Sequence, residues 1–437
     1  MEEFFIVFGS FCMSLGSYFV WPAKRNILAH LQLGLFLVAF VVPVFLTNTL
    51  SFFSPELKLQ YSLITFLGGL AFLVGIIIGF KIKPRFGNIS LITFFKNENN
   101  NVNFLTNRLA YISIGAVIIL FISFALIGFV PAFSDDPFQA KFFRGAYKEA
   151  YQPYAIPYRI SYTILTSSIA FTFATYIHTK KRLFIVLSVI IAFALLLTLN
   201  RGAIVAGLLL TGCCYACLNK RWFWPFFVFI VFVFPLGSAS YYLLGLITGN
   251  STFLQLYNTS SVWSIIANGA PDVPDQLNFL NSFNNVGQLT YGKTFLGGLV
   301  PSNYIWNPSV YTLYIINNGQ ADINSINSGG LRLSVAMWGY TAFGWFGVAI
   351  LPLLSGLLWG MSTRYIKTLS YKHGTKVLSL VVIVVIYNSI YKSIAEFYIF
   401  SMYSVISLFF ILYIVFGRYV VFVKKTEKTA GVARDLR

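Results

Sequence analysis

Arg201 stands in the run Leu199-Asn200-Arg201-Gly202, between two long apolar segments. A turn of two or three residues there places Arg201 at the start of the following helix. A helix N-terminus carries partial positive charge and free N–H groups, so it repels a guanidinium but welcomes an anion held beside one. Arg332 repeats the pattern. It follows Ser328-Gly329-Gly330 and leads into another apolar run, and the glycines let backbone come close to a ligand. Lys141, Arg144 and Lys148 fall at i, i+3 and i+7, which predicts one cationic face on a short helix, with Phe138 and Phe142 on its apolar side. Arg144, within Phe143-Arg144-Gly145, is the favoured member. Arg159 opens the next apolar run, and Lys392 and Glu396 are four residues apart where the last one begins. An ionisable pair at a membrane segment is a candidate site. The common chemistry is anion binding: a guanidinium is planar and grips phosphate in bidentate fashion.

Each of these features also has a plain reading. Arg201 and Arg332 could snorkel to lipid phosphate. The 131–155 segment could be an interfacial helix gripping anionic lipid, and Lys392–Glu396 a simple i, i+4 ion pair. Lys58 and Lys293 read as solvated charges. Glu396 and Asp322 are the carboxylates placed to take a proton. Adjacent Asp135 and Asp136 read as helix caps. No metal and no cofactor is expected.

The elements that must position these residues follow from composition. Of 437 residues, 57% are hydrophobic and only 10% charged. The apolar residues come in runs of roughly 17 to 25, the length that crosses a bilayer as a helix. They are continuous rather than alternating, which excludes barrel strands. The chain is therefore an all-α polytopic membrane protein with about eleven transmembrane helices. The spans fall near 3–20, 27–48, 61–80, 108–130, 156–177, 183–199, 202–218, 223–247, 332–361, 376–392 and 396–417. The span at 332–361 is too long for one perpendicular crossing, so it is tilted or starts above the membrane.

The formal net charge of +18 would suggest nucleic acid in a soluble protein. Here the cations sit in short loops between spans, where they face anionic lipid, and no nucleic-acid partner is expected. Of the 31 basic residues, 22 fall on one side, with at least two in every loop of that side. That asymmetry predicts N-out, C-in. Two outer segments are long, about 131–155 and 248–331, within a single membrane domain covering 1–437. The second is poor in charge and rich in Asn, Gly, Tyr and Trp, which predicts short helices lying on the membrane face. Cys12, Cys213, Cys214 and Cys217 all fall in spans, with no disulfide expected. His30, His178 and His373 fall on the inner side, so no histidine serves outer chemistry.

Several arginines at an outer membrane surface suit a lipid-linked diphosphate, whose head lies at the helix ends and whose tail needs the bilayer. Loops rich in Asn and aromatics suit a sugar. The Asn200-Arg201-Gly202 hairpin resembles features of the Wzy-type oligosaccharide repeat-unit polymerases. So does Gly329-Gly330-Leu331-Arg332, leading into Trp338-Gly339-Tyr340-Thr341-Ala342-Phe343-Gly344-Trp345-Phe346-Gly347. The resemblance covers most of the chain as architecture, through short motifs. It implies a membrane glycosyltransferase (GT-C-like) bundle in the bacterial inner membrane, with its active site facing the periplasm. It implies glycosyl transfer between two undecaprenyl-diphosphate-linked glycans, for O-antigen, capsule or another polysaccharide, alongside a chain-length regulator protein. On that reading Arg201, Arg332 and Glu396 are catalytic, and Arg144, Arg159, Lys141, Lys148, Asp322 and Lys392 bind substrate. O-antigen ligases share the fold type but are associated with a periplasmic histidine that this chain lacks. A polyprenyl-phosphate-sugar-dependent glycosyltransferase would place acids in the first outer loop, which offers only Glu56. A lipid-linked glycan flippase would favour repeated halves and charges at the midplane.

Overall fold

A computed structural model describes residues 1–82, 98–255, 261–300, 304–320 and 329–417. Among these the chain is almost wholly helical, with no β-strand beyond an isolated bridge between Gly298 and Ser401. Among the described residues seven helices are long and apolar enough to cross a membrane, and the apolar helices Arg182–Leu197 and Met402–Gly417 are shorter. The chain is a multi-pass, all-α membrane protein. Glu2–Leu15 continues past Gly16 as Ser17–Val20. Ile27–Phe36 runs on into Leu37–Leu46, which winds as a π-helix around Pro43. Proline has no N–H and its ring crowds the carbonyl one turn back, so the register widens there.

The tightest helix packing joins Pro55–Lys81 to Val335–Lys372. A Cβ on Gly75 or Gly79 would strike the carbonyls of Leu353 and Leu357. One on Gly356 or Gly360 would strike those of Phe72 and Ile76. Gly9 and Gly69 bring the first helix against Pro55–Lys81 in the same way. Within lipid there is no hydrophobic drive between helices, so small residues that let backbones touch supply the dispersion contact.

Val335–Lys372 corrects the expectation for 332–361. It is not one continuous helix. Backbone angles leave the helical region at Phe343 (φ −140°, ψ 20°) and Gly344 (φ 61°, ψ −146°). The chain folds back there, so that Gly339 and Gly347 touch backbone to backbone. In a straight helix those two residues would lie about 12 Å apart. The aromatic-glycine run is therefore a hairpin: Gly344 supplies an angle that side chains resist, and Gly339 and Gly347 supply clearance. The open carbonyls of Thr341 and Ala342 accept from the Thr290 and Tyr291 N–H groups at 2.9 and 3.0 Å.

The 131–155 segment and the described parts of 248–331 gather at one end of the bundle, here the loop end. Asn250 Nδ2 donates to the Ser134 and Asp135 carbonyls, each at 3.3 Å. The longer segment forms Val262–Gly269, Asp272–Val286 and Pro308–Ile316. Asp272–Val286 buries Val273, Leu277 and Leu280 against the bundle.

Candidate functional site

Two adjoining lobes open between the helices at the loop end, of about 980 and 710 Å³. They share a wall formed by Asn307, Ser309, Asn388, Lys392, Glu396 and Tyr403.

The first lobe is built on the 131–155 segment. Asp136 caps Pro137–Phe142 by accepting from the Phe138 and Gln139 N–H groups at 3.1 and 3.0 Å. The helix stops at Phe143, which is left-handed (φ 52°), and the Arg144 N–H closes back on the Gln139 carbonyl at 3.0 Å. A non-glycine residue held there is strained. The Phe143 ring stacks on Tyr151 at 3.5 Å between centroids, which offsets part of that cost. A second short helix follows, Tyr147–Tyr151. The single cationic face expected for Lys141, Arg144 and Lys148 is thus corrected. The reversal at Phe143–Gly145 splits them between two helices, so i, i+3, i+7 spacing no longer means one face. Lys141 and Arg144 line the lobe, Arg144 at 8% exposure, whereas Lys148 is exposed and outside it.

Arg159 also lines the first lobe, with its guanidinium over Tyr151 and Tyr403 at 5.5 and 5.9 Å from the ring centres. Tyr158 and Tyr162 continue the wall, stacked on each other. Asn200 donates to the Tyr162 hydroxyl while its Oδ1 caps the next helix at Ala203. These tyrosines are functional candidates that cation-led reasoning passed over, and Asn200 lines the lobe in place of its neighbour Arg201. Tyr151, Tyr154, Tyr158 and Tyr162 recur at helical spacing, and that stripe was there to be read.

Arg201 lies behind the lobe, not on its wall. Its guanidinium sits 4.0 Å from the Tyr241 ring centre and donates to the Gly269 carbonyl at 3.1 Å. Tyr241 in turn donates to the Leu199 carbonyl at 2.6 Å and accepts from Lys141 at 2.9 Å. Arg201 therefore joins three helices and supports Lys141 through one ring.

Arg332 lines the second lobe. Its segment is pinned on both sides: Leu331 N–H donates to Thr312 Oγ1 at 3.0 Å and Ser334 N–H to Gln276 Oε1 at 3.2 Å. Arg332 pairs with Asp272 at 3.7 Å, the cation 63% and the carboxylate 12% exposed. Lys392 and Glu396 pair at 3.9 Å on the shared wall. Glu396 caps the end of Val377–Ala395 rather than starting the last helix, which begins at Met402 after a short turn. Both pairs are longer than a hydrogen bond, so their cations are available to a ligand's oxygens. Asp322 lies outside the described residues.

Burial raises the Asp272 carboxyl, against the pull of Arg332. Burial and then the neighbouring Asp272 push Asp275 up to about 6, again with Arg332 opposing. For an acid with a raised folded value, the stability it contributes is present at low pH and lost as pH rises through about 6. Asp275→Asn should therefore raise the melting temperature near about pH 8 and leave it unchanged near about pH 4. Equal shifts at both pH values would remove Asp275 as the cause.

Comparison of the chain with family models, curated proteins and solved structures returns no match.

Proposed function

We propose that this chain polymerises undecaprenyl-diphosphate-linked oligosaccharide repeat units at the periplasmic face of a bacterial inner membrane. The same reading takes the GT-C-like bundle as N-out and C-in, with about eleven crossings. One observation carries it. Lys141, Arg144, Arg159, Arg332 and Lys392, from three stretches of chain, border two lobes that share a wall. Two adjoining lobes suit two large substrates, and tyrosine and asparagine walls suit sugar rings and hydroxyls.

In the reaction an acceptor hydroxyl attacks the anomeric carbon of the growing glycan. The new C–O bond forms as the bond to undecaprenyl diphosphate breaks. The electron pair leaves with the diphosphate, where fixed cations stabilise the growing charge. The hydroxyl proton passes to a carboxylate; Glu396, on the shared wall, is the one we assign. The leaving group is already activated, and the residues described supply charge without needing a metal ion.

Deleting the gene should collapse a ladder of glycan lengths to one repeat unit, and the wild-type chain should restore it, in the presence of EDTA in vitro. A metal-dependent polyprenyl-phosphate-sugar transferase would stop under EDTA. A flippase would move lipid-linked units across liposomes with no change in length, and either outcome would displace the polymerase reading.

A further inference from the structure

Two polar stripes line the second lobe. Ser10, Ser14 and Ser17 recur at helical spacing along the first helix and its continuation, and all three line the lobe. Ser355, Trp359 and Thr363 do the same at intervals of four along Val335–Lys372, over about 12 Å. Both helices pack on Pro55–Lys81 and descend it in the same direction. Gly9 lies against Gly69 and Gly16 against Ile76, while Gly356 lies against Phe72 and Gly360 against Ile76. Ser10 and Ser355 are buried, at 0% and 1% exposure, and neither hydroxyl makes a hydrogen bond. By contrast, Ser17 Oγ donates to Asn26 at 3.4 Å and Thr363 Oγ1 to the Trp359 carbonyl at 2.8 Å. The side-chain amides of Gln32 and Asn388 line the same space.

Charge separates the two lobes. The first is lined by Lys141, Arg144, Arg159 and Lys392 against one carboxylate, Glu396. Among the described residues the second carries two opposite pairs, Arg332–Asp272 and Lys392–Glu396, and no other charge. An excess of cations favours an anion in the first lobe, whereas the balanced second lobe suits a ligand without net charge. A hydrocarbon chain would leave Ser10 and Ser355 unsatisfied. Water would satisfy them but gain nothing from the apolar surfaces of Phe72, Trp338 and Trp359 on the same walls. A sugar matches both, with hydroxyls around its rim and apolar faces that lie on aromatic rings. We propose that the second lobe binds an uncharged mono- or disaccharide along these stripes. The choice between a free sugar and one at the end of a lipid-linked glycan rests on the proposed function. The site itself rests on the walls and requires no lipid carrier.

The full-length protein in phospholipid nanodiscs is titrated with maltose, cellobiose and lactose, and with digalacturonic acid as the charged probe, while tryptophan fluorescence is followed. A neutral disaccharide should give a saturable change that Trp359→Phe removes, and digalacturonic acid should give none. Ser10→Ala and Ser355→Ala should each weaken the binding about fivefold, the worth of one neutral hydrogen bond. Each should also raise the melting temperature of the sugar-free protein, because an unpaired buried hydroxyl is gone. One variant suffices if the other fails to insert. Saturation by none of the neutral probes, or equally by digalacturonic acid, overturns the site. So does a lower melting temperature in both variants, since their hydroxyls would then already be satisfied. Sugar binding that blocks chain extension assigns the site to the glycan, and binding that leaves extension unchanged assigns it to a free sugar. Saturable sugar binding together with a normal glycan ladder in a deletion strain would sink the polymerase and leave this site standing.

Discussion

Arg144→Ala should reduce chain extension by about a hundredfold or more, the scale expected when one preorganised charge is removed from a developing anion. Membrane insertion should be unchanged. Arg144 is the most enclosed of the candidate cations, at 8% exposure, and its backbone is fixed by the turn that ends Pro137–Phe142. A guanidinium held that way loses little further freedom on binding phosphate. Arg144→Lys should recover only a small part of the activity, because a point charge cannot reproduce the planar fork. Arg201→Ala makes the contrast. It too should shorten the glycan, but by loosening the helices around Tyr241, so its melting temperature should fall as well. Glycan ladders and thermal melts on the purified variants separate the two. A full-length ladder from Arg144→Ala would mean that Arg144 does not hold the diphosphate.

Gly356→Val should prevent stable folding, with a loss of about 3 kcal/mol or more. Its added carbons would meet the Phe72 backbone, which cannot turn aside as a side chain can. The bulk would have to be met by parting Pro55–Lys81 from Val335–Lys372, along the closest contact in the bundle. Gly115→Val is the matched control, since a Cβ on Gly115 meets nothing within 4 Å. Detergent-solubilised yield and melting temperature should fall sharply for the first variant and hardly for the second. Similar yields for both would mean that the glycine contact is not what joins the helices.

The helices were legible because lipid imposes one solution on a continuous apolar run, and every predicted span is mostly helical, although 332–361 holds two helices and the last helix starts at Met402. The fold-back at Gly344 was not legible. Hydropathy is continuous through Trp338–Gly347, and a break hidden in apolar sequence leaves no trace in a measure of apolarity. The glycines flagged that something approached closely, without saying that it was the chain itself. The reversal at Phe143 was hidden for another reason. Phenylalanine rarely adopts positive φ, and its ring is held there by Tyr151, Tyr158 and Phe129, contacts between residues eight to fifteen apart. At the site, charge pointed to Lys141, Arg144, Arg159 and Arg332. Charge alone also pointed to Arg201, because the sequence could not show that Tyr241, Ser240 and Gly269 would surround it. Asp272 was visible as an acid but not as the partner of Arg332, a pairing between distant stretches.

The hairpin at Gly344 also changes how much height the chain gains from its apolar sequence. Ala336 and Pro352 both lie against Gly68, whereas Tyr340 bonds to Gln60, two turns nearer the start of the same helix. The stretch before Gly344 therefore runs along Pro55–Lys81 toward that helix's start, and after Gly344 the chain reverses and follows the same helix the other way. Ten residues of an apolar run are spent on doubling back, so the length of such a run overstates the height of the helix it builds.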